Sequence, residues 1–170
     1  RTQALKRQKR MKKAIGYILL GLVGLILGFI ASSWHTDIPA EEIIEKYAYD
    51  NSEFLELDGM SVHYRINGDT GKTVVLLHGT AASLHTWEDW TTELSKYYRV
   101  VSFDMPGFGI TGPEPNGIYT RERYLKFIDD MLVILNIDSC YMAGNSFGGY
   151  MTWSYAAKHP DKVMKIAILN

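Results

Sequence analysis

The chain has 170 residues, 46% of them hydrophobic, and a single cysteine, Cys140, so it can bury one globular core, while intramolecular disulfides and cysteine metal sites are excluded. Its formal net charge of -1 hides a division: seven basic residues (Arg1, Lys6, Arg7, Lys9, Arg10, Lys12, Lys13) precede the first acidic one, and the remainder holds 11 basic against 19 acidic side chains, a balance of -8. So acidic a body argues against nucleic acid as a partner, because phosphate binding needs a cationic face.

The first residue is Arg rather than Met, and the chain is expected to be a piece of a longer protein at both ends. Residues 1–13 read as a basic cytoplasmic tail. From Ala14 to Ala31 there are 18 residues without a charge, roughly 27 Å of helix, close to the thickness of a bilayer's hydrocarbon core. Residues 14–33 are therefore expected to form a transmembrane signal anchor, its basic flank cytoplasmic by the positive-inside rule and everything after Trp34 extracytoplasmic. A cleaved signal peptide ending at Ala31, Ser32 and Ser33 is the competing reading. It is disfavoured because the apolar run exceeds the roughly 7–15 residues of an ordinary signal peptide. Gly24 and Gly28 make a G-x-x-x-G pair through which two copies could form a weak homodimer.

Residues 34–52 read as a polar linker with a short helical turn. Phe54 to Leu57 and Met60 to Ile66 flank Asp58-Gly59, a two-residue turn signal, and Ser61, His63 and Arg65 alternate with apolar positions, which predicts an antiparallel, half-exposed hairpin. A turn at Asn67-Gly68-Asp69 leads to Thr73 to Leu77, an unbroken apolar run suited to a strand covered on both faces. A helix near Trp87 to Tyr97, a strand Arg99 to Phe103 and a Gly/Pro-rich loop from Asp104 to Gly117 come next. Tyr124, Phe127, Ile128, Met131, Leu132 and Leu135 then form one helical stripe. A strand Ser139 to Ala143, a helix Phe147 to His159 stopped by Pro160, and a strand Val163 to Leu169 complete the pattern. This β-α alternation predicts an α/β fold: a mostly parallel sheet with an antiparallel edge and helices on both faces, ligands binding at the carboxyl ends of its strands.

Gly144-Asn145-Ser146-Phe147-Gly148 is G-x-S-x-G between a predicted strand and a predicted helix. That context is the informative part, since a serine on a strained strand-to-helix turn leaves its neighbours no room for a Cβ. Gly144 and Gly148 supply that room, and Gly149 lets the helix approach the sheet. A serine hydroxyl needs a base and a place for the charge that develops on the attacked carbonyl. For the latter, the Thr73 to Leu77 strand ends in His78-Gly79-Thr80, where Thr80, or Ala81 one residue along, offers one backbone N–H and Phe147 the other. His78 is read as tying that loop together rather than as the base. His35, His63, His85 and His159 are read as surface or structural residues, none within reach of Ser146. Trp87, Trp90, Tyr97 and Tyr98 could line an acyl pocket or simply pack a helix on the sheet.

With Leu76 to Thr80 (LLHGT), Phe103 to Gly109 (FDMPGFG) and Gly144 to Gly149 (GNSFGG) in place, the segment from about Phe54 to Asn170 resembles the serine-nucleophile branch of the α/β-hydrolase superfamily, with its esterase-like and C–C hydrolase-like members. The resemblance implies the α/β-hydrolase fold over residues 53–170, truncated after its sixth strand, with strand order 1-2-4-3-5-6. It implies a triad in chain order serine, acid, histidine, the last two beyond Asn170. It makes Asp104 the family's loop-shaping aspartate, and it places at Asn170 a position where some relatives carry an alternative acid. Serine rather than aspartate at the turn sets the chain apart from haloalkane dehalogenases and epoxide hydrolases, which attack with a carboxylate. The expected function is a membrane-anchored serine hydrolase of small ester or acyl substrates, needing no cofactor and no metal, and inactive over these residues alone. A non-catalytic binding or scaffold domain and an acyltransferase using the same serine are the alternatives.

Overall fold

The computed structural model describes residues 2–34 and 37–169. The readings placed on His35 and Asn170 lie outside the described residues. The chain divides into two compact units, residues 1–38 and 39–170.

The first unit is one helix, α1 (Thr2–Ser32). No proline or acidic residue interrupts it, and within its span Lys6–Ser32 an 18-residue window has a mean hydropathy of 2.5, making it long and apolar enough to cross a membrane. Gly24 and Gly28 lie on an open surface, where an added Cβ would meet nothing within 4 Å.

The second unit opens with α2 (Ala40–Tyr47), eight residues where a short turn is expected from sequence. Pro39 immediately before it suits a helix start, because its fixed φ is already helical and the missing N–H would have no partner there. The compact unit therefore begins at Pro39, and the segment 39–52, read from sequence as linker, belongs to the folded body.

Six strands follow: β1 (Glu53–Leu57), β2 (Met60–Asn67), β3 (Thr73–Leu77), β4 (Arg99–Phe103), β5 (Cys140–Asn145) and β6 (Val163–Leu169). They form one sheet in the order β1-β2-β4-β3-β5-β6, with β1 and β2 antiparallel to their neighbours and the rest parallel. Asp58 and Gly59 both take positive φ, as a two-residue hairpin turn requires. The expected helix near Trp87 to Tyr97 is instead a 3-10 turn (Leu84–Trp87) running into α3 (Glu88–Leu94). α4 (Arg121–Ile134) starts at Thr120, whose hydroxyl accepts the Arg123 N–H at 3.3 Å, and α5 (Phe147–Lys158) stops ahead of Pro160.

The alternating side chains of β3 divide the core. Val75 and Leu77 join Phe127, Ile128 and Met131 of α4 and Met151 and Tyr155 of α5 on one face, while Val74 and Leu76 meet Trp87 on the other. Trp87 is buried and edge-on to Trp90, and Tyr98 is edge-on to Tyr141, whereas Tyr97 is exposed. Of the four, Trp87 and Tyr98 pack the sheet face.

One expectation needs correction. The second strand of the hairpin is not half-exposed: His63 and Arg65 are buried and only Ser61 of the alternating polar set faces outward, while Glu53, Phe54 and Glu56 of β1 are exposed as expected. Alternation presumes water on one face, but that face of β2 is covered by the segment before β1. Tyr49 lies under the Arg65 guanidinium at 3.7 Å, and Asn51 and Ser52 bond to Arg65 and His63.

Candidate active site

The register of the parallel strands sets the site. Leu77 at the end of β3 pairs with Gly144 near the end of β5, so the loop leaving β3 lies beside the turn leaving β5. At that turn Ser146 has φ 49 and ψ −118, a conformation that costs a side-chain-bearing residue of the order of 1–3 kcal/mol. Close packing enforces it. A Cβ on Gly144 would overlap the Gly148 backbone, and one on Gly148 would overlap the Leu77 carbonyl. A Cβ on Gly149 would come 3.0 Å from the Ile168 side chain, which is how closely α5 approaches β6. The serine is held at the crest of the turn and is exposed to solvent.

The loop after β3 reaches it. A Cβ on Gly79 would stand 3.2 Å from the Ser146 Cβ, so the chain at Gly79 passes too close to the turn to carry a side chain without displacement. Ala81 takes φ 55 as the loop bends away. Among the described residues, no hydrogen bond uses the N–H of Thr80, Ala81 or Phe147. Phe147 is also the first residue of α5, where backbone N–H groups have no partner inside the helix and the helix dipole favours negative charge.

His78 holds this loop. Its ring is wholly buried, Nδ1–H donates to the Gly79 carbonyl at 2.8 Å, and Nε2 accepts the Met105 N–H at 3.0 Å. Both nitrogens are engaged, which fixes the neutral Nδ1–H tautomer. Burial lowers its pKa, with the Gly79 carbonyl and Asp104 pulling the other way. Asp104 accepts the N–H of Leu84 at 2.7 Å, that of Ile110 at 2.9 Å, and His63 Nδ1 at 2.9 Å. Burial alone would raise its pKa, but these donors outweigh it and hold the carboxyl below its ordinary range. It ties the loop after β3 to the loop after β4. Phe108, within the second loop, packs against both His78 and Phe147, with ring centroids 5.7 and 6.1 Å apart.

Among the described residues no histidine serves Ser146. His63 is spent on Ser52 and Asp104, His85 on Ser83 and the Tyr47 carbonyl, and His159 stacks on Tyr155 at the far end of α5. A Ser–His–Asp chain does exist, Ser52–His63–Asp104, with Ser52 Oγ 2.7 Å from His63 Nε2. Sequence reading missed it. It is not a nucleophile site: Ser52 is absent from the residues with strained backbone, its own N–H is bonded to the Tyr49 carbonyl, and its Oγ already accepts the Tyr49 N–H. The only hint in the sequence is a histidine and an arginine inside a strand that a solvated hairpin does not need.

A parallel sheet with an antiparallel hairpin edge, helices on both faces and a glycine-tight serine turn after the fifth strand define the α/β-hydrolase architecture. Residues 72–170 match the alpha/beta hydrolase fold family, and the chain belongs to it. It is 36% identical over 104 residues to 2-hydroxy-6-oxo-2,4-heptadienoate hydrolase of Pseudomonas putida, covering 59% of this chain and 37% of that protein. It is 31% identical over 114 residues to epoxide hydrolase 4 of Mus musculus, covering 66% and 32%. The crystal structure of a membrane phospholipase A superposes with a TM-score of 0.67 at 27% identity, covering 90% of this chain and 51% of that one. The chain spans about a third of the length of these two curated relatives.

Proposed function

We propose that the protein is a membrane-anchored serine hydrolase that cleaves small ester or acyl substrates through an acyl-enzyme on Ser146. Ser146 Oγ attacks the carbonyl carbon, and the Thr80 and Phe147 N–H groups hold the oxyanion, each such donor being worth about 2.7–4 kcal/mol in the transition state. The leaving group departs protonated, and water releases the acyl group. The observation that carries this reading is the strained, exposed Ser146 packed against the Gly79 loop. Backbone strain of this kind collects at functional sites, where the surrounding packing can hold it. Serine at this position also separates the chain from the carboxylate chemistry that epoxide hydrolases use.

No described base reaches Ser146. These 170 residues alone are therefore expected to be inactive, the base and acid coming from the portion of the fold that the relatives carry outside the matched segment. α1 supports anchoring, and its basic flank supports a cytoplasmic N-terminus with the hydrolase domain on the other side. The test is turnover of p-nitrophenyl esters by the complete protein. Ser146→Ala is expected to lower kcat/KM by about 10³-fold or more. Turnover that survives this substitution would contradict the assignment, and its absence from the wild type would favour a non-catalytic domain. Product analysis with added alcohol separates hydrolysis from acyl transfer.

A further inference from the structure

Asp104 fixes both loops that border Ser146, and its third donor leads away from the site. The carboxylate must receive a hydrogen from His63 Nδ1, because a lone pair facing it at 2.9 Å would be repelled. In the neutral ring Nε2 is then an acceptor, and Ser52 Oγ, 2.7 Å away, donates to it. Ser52 in turn accepts the Tyr49 N–H at 2.8 Å, which orients the hydroxyl. His63 itself is wholly buried, so in the folded protein its ring is served by these two partners. An unbroken line of hydrogen bonds thus runs from the backbone of the segment between α2 and β1, through Ser52, His63 and Asp104, to the N–H groups of Leu84 and Ile110. Leu84 closes the loop that carries Thr80. Ile110 closes the one that carries Phe108.

The same segment is pinned a second time, independently. Arg65 donates from Nε to Asn51 at 2.9 Å and from a terminal nitrogen to Glu88 at 2.6 Å, and covers the Tyr49 ring. Ile43 and Tyr47 of α2 also wall a cavity of about 440 Å³ together with Ser83, His85, Asp104 and Ile110. Residues 39–52 therefore lie on the site's supporting loops.

We infer that Ser52 and His63 are positioning residues of the hydrolase, and that the segment following the membrane helix sets the geometry of the oxyanion loop through them. The inference rests on the reading of Ser146 as nucleophile and Thr80 as donor. Without Ser52, the buried Nε2 loses its partner, the ring loses the contact that orients it toward Asp104, and the loop at Leu84 loosens. Misplacing a catalytic donor by a fraction of an ångström lowers the chemical step more than substrate binding.

The test uses the complete membrane protein, assayed well below each variant's thermal midpoint. Ser52→Ala is expected to lower kcat about tenfold with KM within about twofold, and Ser52→Thr, which keeps the hydroxyl, to recover most of the loss. Asn51→Ala, which breaks only the Arg65 contact, should keep wild-type kcat. Wild-type kcat in Ser52→Ala, or an equal fall in Ser52→Ala and Asn51→Ala, overturns the inference. Failure of the nucleophile reading shows separately, as turnover that survives Ser146→Ala.

Discussion

Ser146 and Ser52 invert each other's properties. Ser52 has a histidine at 2.7 Å and an aspartate beyond it, yet sits in relaxed backbone with its oxygen and its N–H both occupied. Ser146 has no described base, yet stands exposed on a strained turn beside unbonded N–H groups. The difference teaches that a hydrogen-bonded Ser–His–Asp series does not define a reactive serine. What distinguishes Ser146 is the surrounding backbone, a strained turn beside N–H groups that have no partner among the described residues, which is the arrangement the proposed nucleophile requires.

The comparison can be broken at several points. At the Ser146 turn, Gly148→Ala would drive a methyl group into the Leu77 carbonyl and should cost about 3 kcal/mol of stability in urea unfolding. An effect below about 1 kcal/mol would mean that the turn is not held by close packing. At the other serine, Ser52→Ala leaves a buried ring nitrogen unpaired and should cost about 1–2 kcal/mol by the same measurement. The elbow would lose its special status if the two costs were reversed.

A smaller effect follows from His78. Its pKa is lowered in the folded state, so the unfolded chain takes up a proton that the folded ring refuses. Stability is then full above about pH 6.5, where the unfolded ring titrates, and declines as pH falls below it by at most about 1.4 kcal/mol per pH unit. Asp104, whose folded pKa is depressed, adds a second loss only below about pH 3.9. Thermal midpoints between pH 8 and 5 should fall in the wild type and flatten in His78→Gln. A flat wild-type profile would remove His78 as the neutral tie of the loop. Smallest of all is the response of Cys140, at the opposite end of β5 from Ser146. Burial pushes its thiol up to about 11, so a thiol reagent should leave the folded protein unmodified and react only after unfolding. Rapid modification of folded protein would show that this end of β5 is open.

Much of this was legible because the signals are local. Asp58-Gly59 specifies its own hairpin, Thr73 to Leu77 reads as a doubly covered strand without reference to anything distant, and glycines flanking Ser146 point to a crowded turn. The inward placement of His63 and Arg65 was not legible. Their partners are Asp104, 41 residues away, and Glu88, 23 residues away, together with a segment that looks like linker. Alternation of polar and apolar residues in β2 carries the same signature whether water or Tyr49 covers the polar face. For the same reason α2 looked like a polar turn: its sequence shows charge, while its contribution comes from Ile43 and Tyr47 against loops distant in sequence.

The most direct measurement is to treat the complete protein with a fluorophosphonate and locate the adduct by mass spectrometry of its peptides. The account predicts the phosphonyl group on Ser146 in both wild type and Ser52→Ala, with none on Ser52. An adduct on Ser52, or a wild-type protein that takes up no label while folded, would contradict it.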